Sequence, residues 1–154
     1  MVRRELKSIL ESRAAHYFSE GYNCCQSVLL AANDTWDLSI SRDLITAGRF
    51  FEHGMGSGST CGALVGAQMA LGILNERMGT NLTNKSAHQL YAEFVKTFAS
   101  CQCRELRKKQ SFADRIGYKG CKRITLVTAG ILYELWEKMN GKAYPGIGYY
   151  SDLK

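Results

Sequence analysis

The sequence predicts an all-α protein, a single-domain bundle of about five to six helices. Three observations predict it. Apolar residues recur at spacings of three and four over long stretches. One proline interrupts 154 residues, and no alternating run bounded by turns announces a strand. A hydrophobic content of 45% is ample for a single core at this length, so residues 1–154 read as one domain.

The first helix is expected over residues 3–20. Leu6, Ile9, Leu10, Ala14 and Tyr17 or Phe18 form its apolar face, and Gly21 is its stop. Asn23 can cap the second helix with Gln26 three residues later, ahead of Val28, Leu29, Ala31 and Ala32. That places Cys24 and Cys25 in a first helical turn. A third helix is expected over residues 41–52, capped by Ser39 or Ser41 and ended by Gly54, with the loop "HGMGSGS" behind it. Ser59 or Thr60 would then cap a fourth helix carrying Leu64, Ala67, Leu71 and Leu74 on one face and closed by Gly79. Cys61 falls in its first turn. The fifth helix starts at the capping candidate Asn84 and runs through Leu90, Phe94 and Phe98 towards "CQCREL". After a polar, basic connector, the last helix begins near Cys121 with Gly120 as N-cap, and Ile124, Val127, Ile131 and Leu135 mark its buried side. Residues 140–154, with "AYPGIGYYSDLK", read as an irregular C-terminal tail.

The opening "MVRRELKSILESRAAHYF" mixes acids and bases without an apolar centre or a small-residue cleavage site, so it does not read as a signal peptide and a cytoplasmic protein is expected. The longest apolar run, residues 62–74, is interrupted by Gln68 and falls short of the roughly 20 residues of a membrane span. The net charge of +6 is concentrated in the lysines and arginines between positions 104 and 123. Such a stretch attracts phosphate or nucleic acid. No recognised binding motif accompanies it, so a solvated loop and helix face is the simpler reading and nucleic-acid binding is not expected.

Six cysteines in a chain able to build its own core point to redox, catalytic or metal-ligating thiols rather than to a disulfide framework. The bland alternative is that small thiols fill the core. Placement speaks for chemistry. A helix N-terminus presents unpaired amides and the positive end of the macrodipole, which favour thiolate over thiol, and Cys24, Cys61 and Cys121 are each predicted there. Gly62, Gly66 and Ala70 recur every four residues, a smooth stripe on which a second helix can pack backbone to backbone and bring another cysteine near Cys61. Other motifs lack their context. No strand precedes the glycines at 54, 56 and 58 and no Walker lysine follows them, and "CQC" lacks the two-residue spacer of zinc or thioredoxin motifs. Among the histidines, His53 is the best outside candidate, because its loop leads to Cys61.

The order "GYNCCQSVL", "GMGSGSTCGALVGAQMALG", "CREL" and a final cysteine before a helix resembles the redox-active protein family named for its C_GCAxxG_C_C pattern. The resemblance runs from Gly21 through Cys121 and the helix beyond, with Cys61, Gly62, Ala63 and Gly66 as its densest block. It implies a helical, redox-active protein whose four cysteines are Cys24, Cys61, Cys103 and Cys121, with Cys25 and Cys101 as extras. The chain is also similar to the N-terminal region of split-Soret cytochromes, which implies an iron–sulfur centre. Covalent haem is not expected, because C-x-x-C-H is missing.

Three functional readings follow. In the first the protein is a thiol-dependent oxidoreductase: Cys61 attacks a disulfide or oxidant and Cys24, Cys103 or Cys121 resolves the intermediate, with a redox partner protein or a small-molecule disulfide on the other side. In the second, Cys24, Cys61, Cys103 and Cys121 hold an iron–sulfur cluster or a zinc ion for electron transfer or structure. The third makes the chain a binding domain with incidental thiols and the basic stretch as its surface. The small-residue stripe also suggests a homodimer.

Overall fold

Asn23 and Gln26 act as their spacing predicts. The Asn23 side chain accepts the Gln26 amide at 2.9 Å and Gln26 returns a bond to the Asn23 backbone, which sets the start of the second helix at Cys24. The computed structural model describes residues 3–140, and the chain is all-α. Its helices are α1 (Arg3–Ser19), α2 (Cys24–Trp36), α3 (Arg42–Ala47), α4 (Gly62–Arg77), α5 (Asn84–Phe98), α6 (Cys103–Lys108), α7 (Phe112–Arg115) and α8 (Lys119–Asn140). Single 3-10 turns, Gly48–Phe51 and Ile116–Tyr118, follow α3 and precede α8. The irregular tail expected over residues 140–154 lies outside the described residues except for Asn140, which ends α8. None of the described helices is long and apolar enough to cross a membrane.

Helix α2 packs against α1, α4 and α8. Between them Val28, Leu29, Leu64, Leu71, Phe94 and Trp136 are buried, and a smaller cluster of Leu10, Ala14, Ala31, Ala129 and Tyr133 joins α1, α2 and α8. Each fully buried large apolar side chain contributes roughly 1.5–3 kcal/mol. The buried face of α8 is broader than the expected one: Leu135 is in the core and Ile124 and Ile131 pack against it, but the face extends to two threonines. Thr125 and Thr128 are fully buried, which their hydroxyls allow by bonding back to the carbonyls of Cys121 and Ile124 at 2.8 and 2.7 Å. Val127 is only half-buried.

Several boundaries differ from expectation, each for a local reason. The third helix stops at Ala47 because the Asn23 amide captures the carbonyls of Gly48 and Arg49 at 3.2 and 2.8 Å, drawing them into a tighter turn. Thr83, not Asn84, caps α5, since its hydroxyl accepts the Lys85 amide while Ser86 bonds back to Thr83. Helix α5 ends at Phe98, where Ala99 turns left-handed with φ of 63°. The basic connector is not structureless, because it holds α6 and α7. Helix α8 begins at Lys119, so Gly120 lies inside it rather than at its cap.

The small-residue stripe is filled by α2 of the same chain. A Cβ built on Gly66 would lie 2.4 Å from the Cys25 carbonyl oxygen, and one on Gly62 would lie 2.5 Å from the Cys24 sulfur. The stripe therefore offers no face to a second copy. Gly72, on the opposite side, has nothing within 4 Å. In denaturant titrations Gly66→Ala is expected to lower the unfolding free energy by about 2 kcal/mol through overpacking. Gly72→Ala should raise it by about 0.5–1 kcal/mol.

Candidate functional site

Cys61 is itself the N-cap of α4, a place the sequence reading gave to Ser59 or Thr60. An isolated antiparallel bridge between Thr60 and Gln102 accounts for the shift. The Cys61 amide donates to the Cys101 carbonyl at 2.8 Å and the Cys103 amide to the Ser59 carbonyl at 2.6 Å, holding the chain extended until Cys61. The same two bonds fix Cys61 beside Cys103, the first residue of α6.

The approach to Cys61 is conformationally unusual. Residues 53–56 are consecutively left-handed, with φ of 52°, 60°, 59° and 66° at His53, Gly54, Met55 and Gly56. Gly54 has no alternative, because a Cβ there would lie 2.5 Å from both the backbone nitrogen and oxygen of Ser59, whose amide closes the turn onto the Gly54 carbonyl at 3.0 Å. His53 and Met55 hold this conformation against a cost of roughly 1–2 kcal/mol each. Local strain of this kind collects at functional sites. Here it swings the chain from the Gly48–Phe51 turn into the bridge.

At the end of that path two sulfurs meet. Because Gly62 has no side chain, the sulfur of Cys24, at the first position of α2, packs against the residue that follows Cys61, and both thiols face the same cavity. The Cys24 thiol, acting as donor, favours the Cys61 thiolate and holds Cys61 below its usual pKa, against desolvation and with help from the Ala63 and Leu64 amides at the start of α4. The donor moves the other way. Cys24 is pushed well up because ionising would end its bond to Cys61, and burial adds to the effect.

Cys24, Cys61, Cys103 and Cys121 all line one cavity of about 250 Å³. Phe18, Tyr22, Leu106 and Ile124 supply apolar wall, while Glu52, His53, Arg107 and Tyr118 supply a polar side. Burial raises the pKa of Cys103, with the charge on Cys61 adding to it. Cys121 is likewise raised by burial, although the Gln110 amide, 3.8 Å from its sulfur, acts the other way. Cys121 sits in the first turn of α8, as expected.

The adjacent cysteines are separated by where they point. Cys25 is fully buried, its sulfur 3.9 Å from that of Met69, and burial pushes its pKa to about 12. Cys101 lies beside the Tyr91 hydroxyl at 3.7 Å, and its carbonyl serves the bridge. Neither lines the cavity.

Sequence reasoning passed over Arg107, Tyr118 and Glu52. A signal for Arg107 existed: it follows Cys103 by four residues and so shares its face of α6. Its guanidinium lies over the Tyr118 ring at 5.4 Å and meets the His53 ring nitrogen at 3.2 Å. Other cations of the basic stretch are engaged locally. Arg104 bonds the Ser57 carbonyl, Arg115 the Lys108 carbonyl, and Arg123 the Asp114 carboxylate.

The sulfur donors Cys24, Cys61, Cys103 and Cys121 have the right chemistry for zinc or an iron–sulfur centre and face one cavity. Among the described residues no three His, Cys, Asp or Glu side chains are gathered as a metal's ligands.

Residues 22–135 match the profile of one protein family, described as "Putative redox-active protein (C_GCAxxG_C_C)". No curated protein and no solved structure matches the chain.

Two outcomes follow from the site's geometry. Alkylation of Cys61, followed by peptide mass, should reach half its maximal rate at a pH below that of a free cysteine, and Cys24→Ala should move this midpoint upward because the thiolate loses its donor. Met55→Gly should raise the unfolding free energy by about 1 kcal/mol, read by denaturant titration, by relieving the left-handed turn.

Proposed function

The chain belongs to the C_GCAxxG_C_C family of redox-active proteins, and we propose that its chemistry is thiol–disulfide exchange carried by Cys61 and Cys24. The observation that carries this reading is the close approach of α2 to α4 at Gly62, which brings the Cys24 sulfur to the start of α4 and sets Cys24 and Cys61 in the wall of one cavity. Attack needs a thiolate, and resolution needs a second sulfur already within reach. One contact supplies both.

The steps balance with a disulfide RSSR′ as oxidant. The Cys61 thiolate attacks one sulfur, forming the Cys61–SR mixed disulfide and releasing R′S⁻, which takes the Cys24 proton to leave as R′SH. The Cys24 thiolate then attacks the Cys61 sulfur, closing a Cys24–Cys61 disulfide and releasing RS⁻, which is protonated from solvent. Two electrons pass from the protein to RSSR′. A dithiol reductant would return the pair to its starting state.

Cys103 and Cys121 face the same cavity with raised pKa values, the profile of thiols that stay protonated while Cys61 is charged. The test is a thiol count on protein purified without oxygen, combined with iron and acid-labile sulfide analysis. Treatment with a small disulfide should remove two thiols that reduction restores. Cys61→Ser should abolish the change, Cys24→Ser should trap the probe on Cys61, and Cys103→Ser should leave the two-thiol change intact. Stoichiometric iron and sulfide, lost in Cys61→Ser, would instead establish the cluster and overturn dithiol exchange.

A further inference from the structure

The cavity beside the two sulfurs has one lysine or arginine in its lining, Arg107, and its state differs from that of its neighbours. Arg104, Arg115 and Arg123 each donate to an oxygen of the protein. Arg107 does not. Among the described residues its guanidinium meets the His53 ring nitrogen at 3.2 Å and the face of Tyr118, and no carboxylate pairs with it. A guanidinium has five N–H donors, so a place over the Tyr118 ring and one contact to His53 leave donors unspent. The nearby carboxylate in the lining, Glu52, lies 3.9 Å from the other nitrogen of His53 and is more than half exposed.

We propose that the disulfide taken by this site is a small acid, and that Arg107 receives its carboxylate. The inference rests on the Cys61–Cys24 exchange and adds the substrate class to it. A forked guanidinium lying over an aromatic ring suits bidentate capture of a carboxylate. The volume of about 250 Å³ lies below the range of roughly 300–1,000 Å³ typical of drug-sized ligands, so the occupant is short-chained. Phe18, Tyr22, Leu106 and Ile124 give its methylenes an apolar wall. With the carboxylate on Arg107, the chain of the acid extends across the cavity towards Cys61. The covalent steps are those already written, with RSSR′ a dithio-diacid: the Cys61–SR intermediate retains one carboxylate on Arg107 while the other half leaves as a mercapto-acid.

The test compares three small disulfides of different charge: dithiodipropionate, bis(hydroxyethyl) disulfide and cystamine. The rate at which each oxidises the Cys61–Cys24 pair is followed by thiol loss. Wild type should react with dithiodipropionate about tenfold faster than with the neutral disulfide, and more slowly with cystamine. Arg107→Ala should erase that preference, read as the ratio of the two rates within the one variant so that any change common to all disulfides cancels. Arg107→Lys should keep part of the preference, since the charge remains without the fork. Lys108→Ala removes the same charge from the outer face of α6, where Lys108 pairs with Glu105, and should keep the whole preference. A preference that survives Arg107→Ala, or falls equally in Lys108→Ala, overturns the carboxylate site and leaves the exchange chemistry standing. Failure of all three disulfides to oxidise the pair in wild type overturns the exchange itself, and the acid with it.

Discussion

The contact between the backbones of α2 and α4 is the constraint on which the site depends. Gly66 lies against the Cys25 carbonyl and Gly62 against the Cys24 sulfur, at separations that admit no Cβ. A helix pair held at side-chain distance would leave its first turns too far apart for two cysteines to touch. Here the crossing falls at the start of α2 and within the first turns of α4, so both N-termini arrive at one place. The sulfur contact is thus set by the course of the main chain, and core side chains farther along α4 bear on it only indirectly.

Charge then sorts four thiols that share a wall. An ionised Cys61 raises the pKa of Cys24, Cys25, Cys103 and Cys121, so the cluster accommodates one negative charge and resists a second. The sulfur that takes it has both a thiol donor and neighbouring helix amides. Asymmetry among chemically identical side chains therefore comes from the backbone around each one. Cys103 begins a helix of only six residues and Cys121 lies inside the first turn of α8 rather than at its cap.

Much of this was legible in the sequence, and the rest was hidden for identifiable reasons. Asn23 with Gln26, and the spacing of Gly62 and Gly66, are local patterns that act through their own helices, so the start of α2 and the close crossing could be read directly. The bridge between Thr60 and Gln102 joins distant segments by main-chain bonds, which leave no mark in side-chain type, and it moved the cap of α4 to Cys61. The shortened third helix has a similar origin, since the Asn23 amide acts on carbonyls far along the chain. Arg107 was submerged in a run of cations. Only folding shows that its neighbours bond protein oxygens while it faces the thiols.

On the exchange proposed above, the meeting of Cys24 and Cys61 would also determine when the protein becomes reactive. In an unfolded chain each thiol is hydrated, unpaired and chemically equivalent to the rest. Selectivity begins when α2 settles on α4, because the donor and the amides that favour the Cys61 thiolate belong to different segments of chain. A nascent polypeptide of this sequence carries six ordinary cysteines. On that reading tertiary structure activates one of them, and a reagent that reports on its chemistry would also report on completed folding.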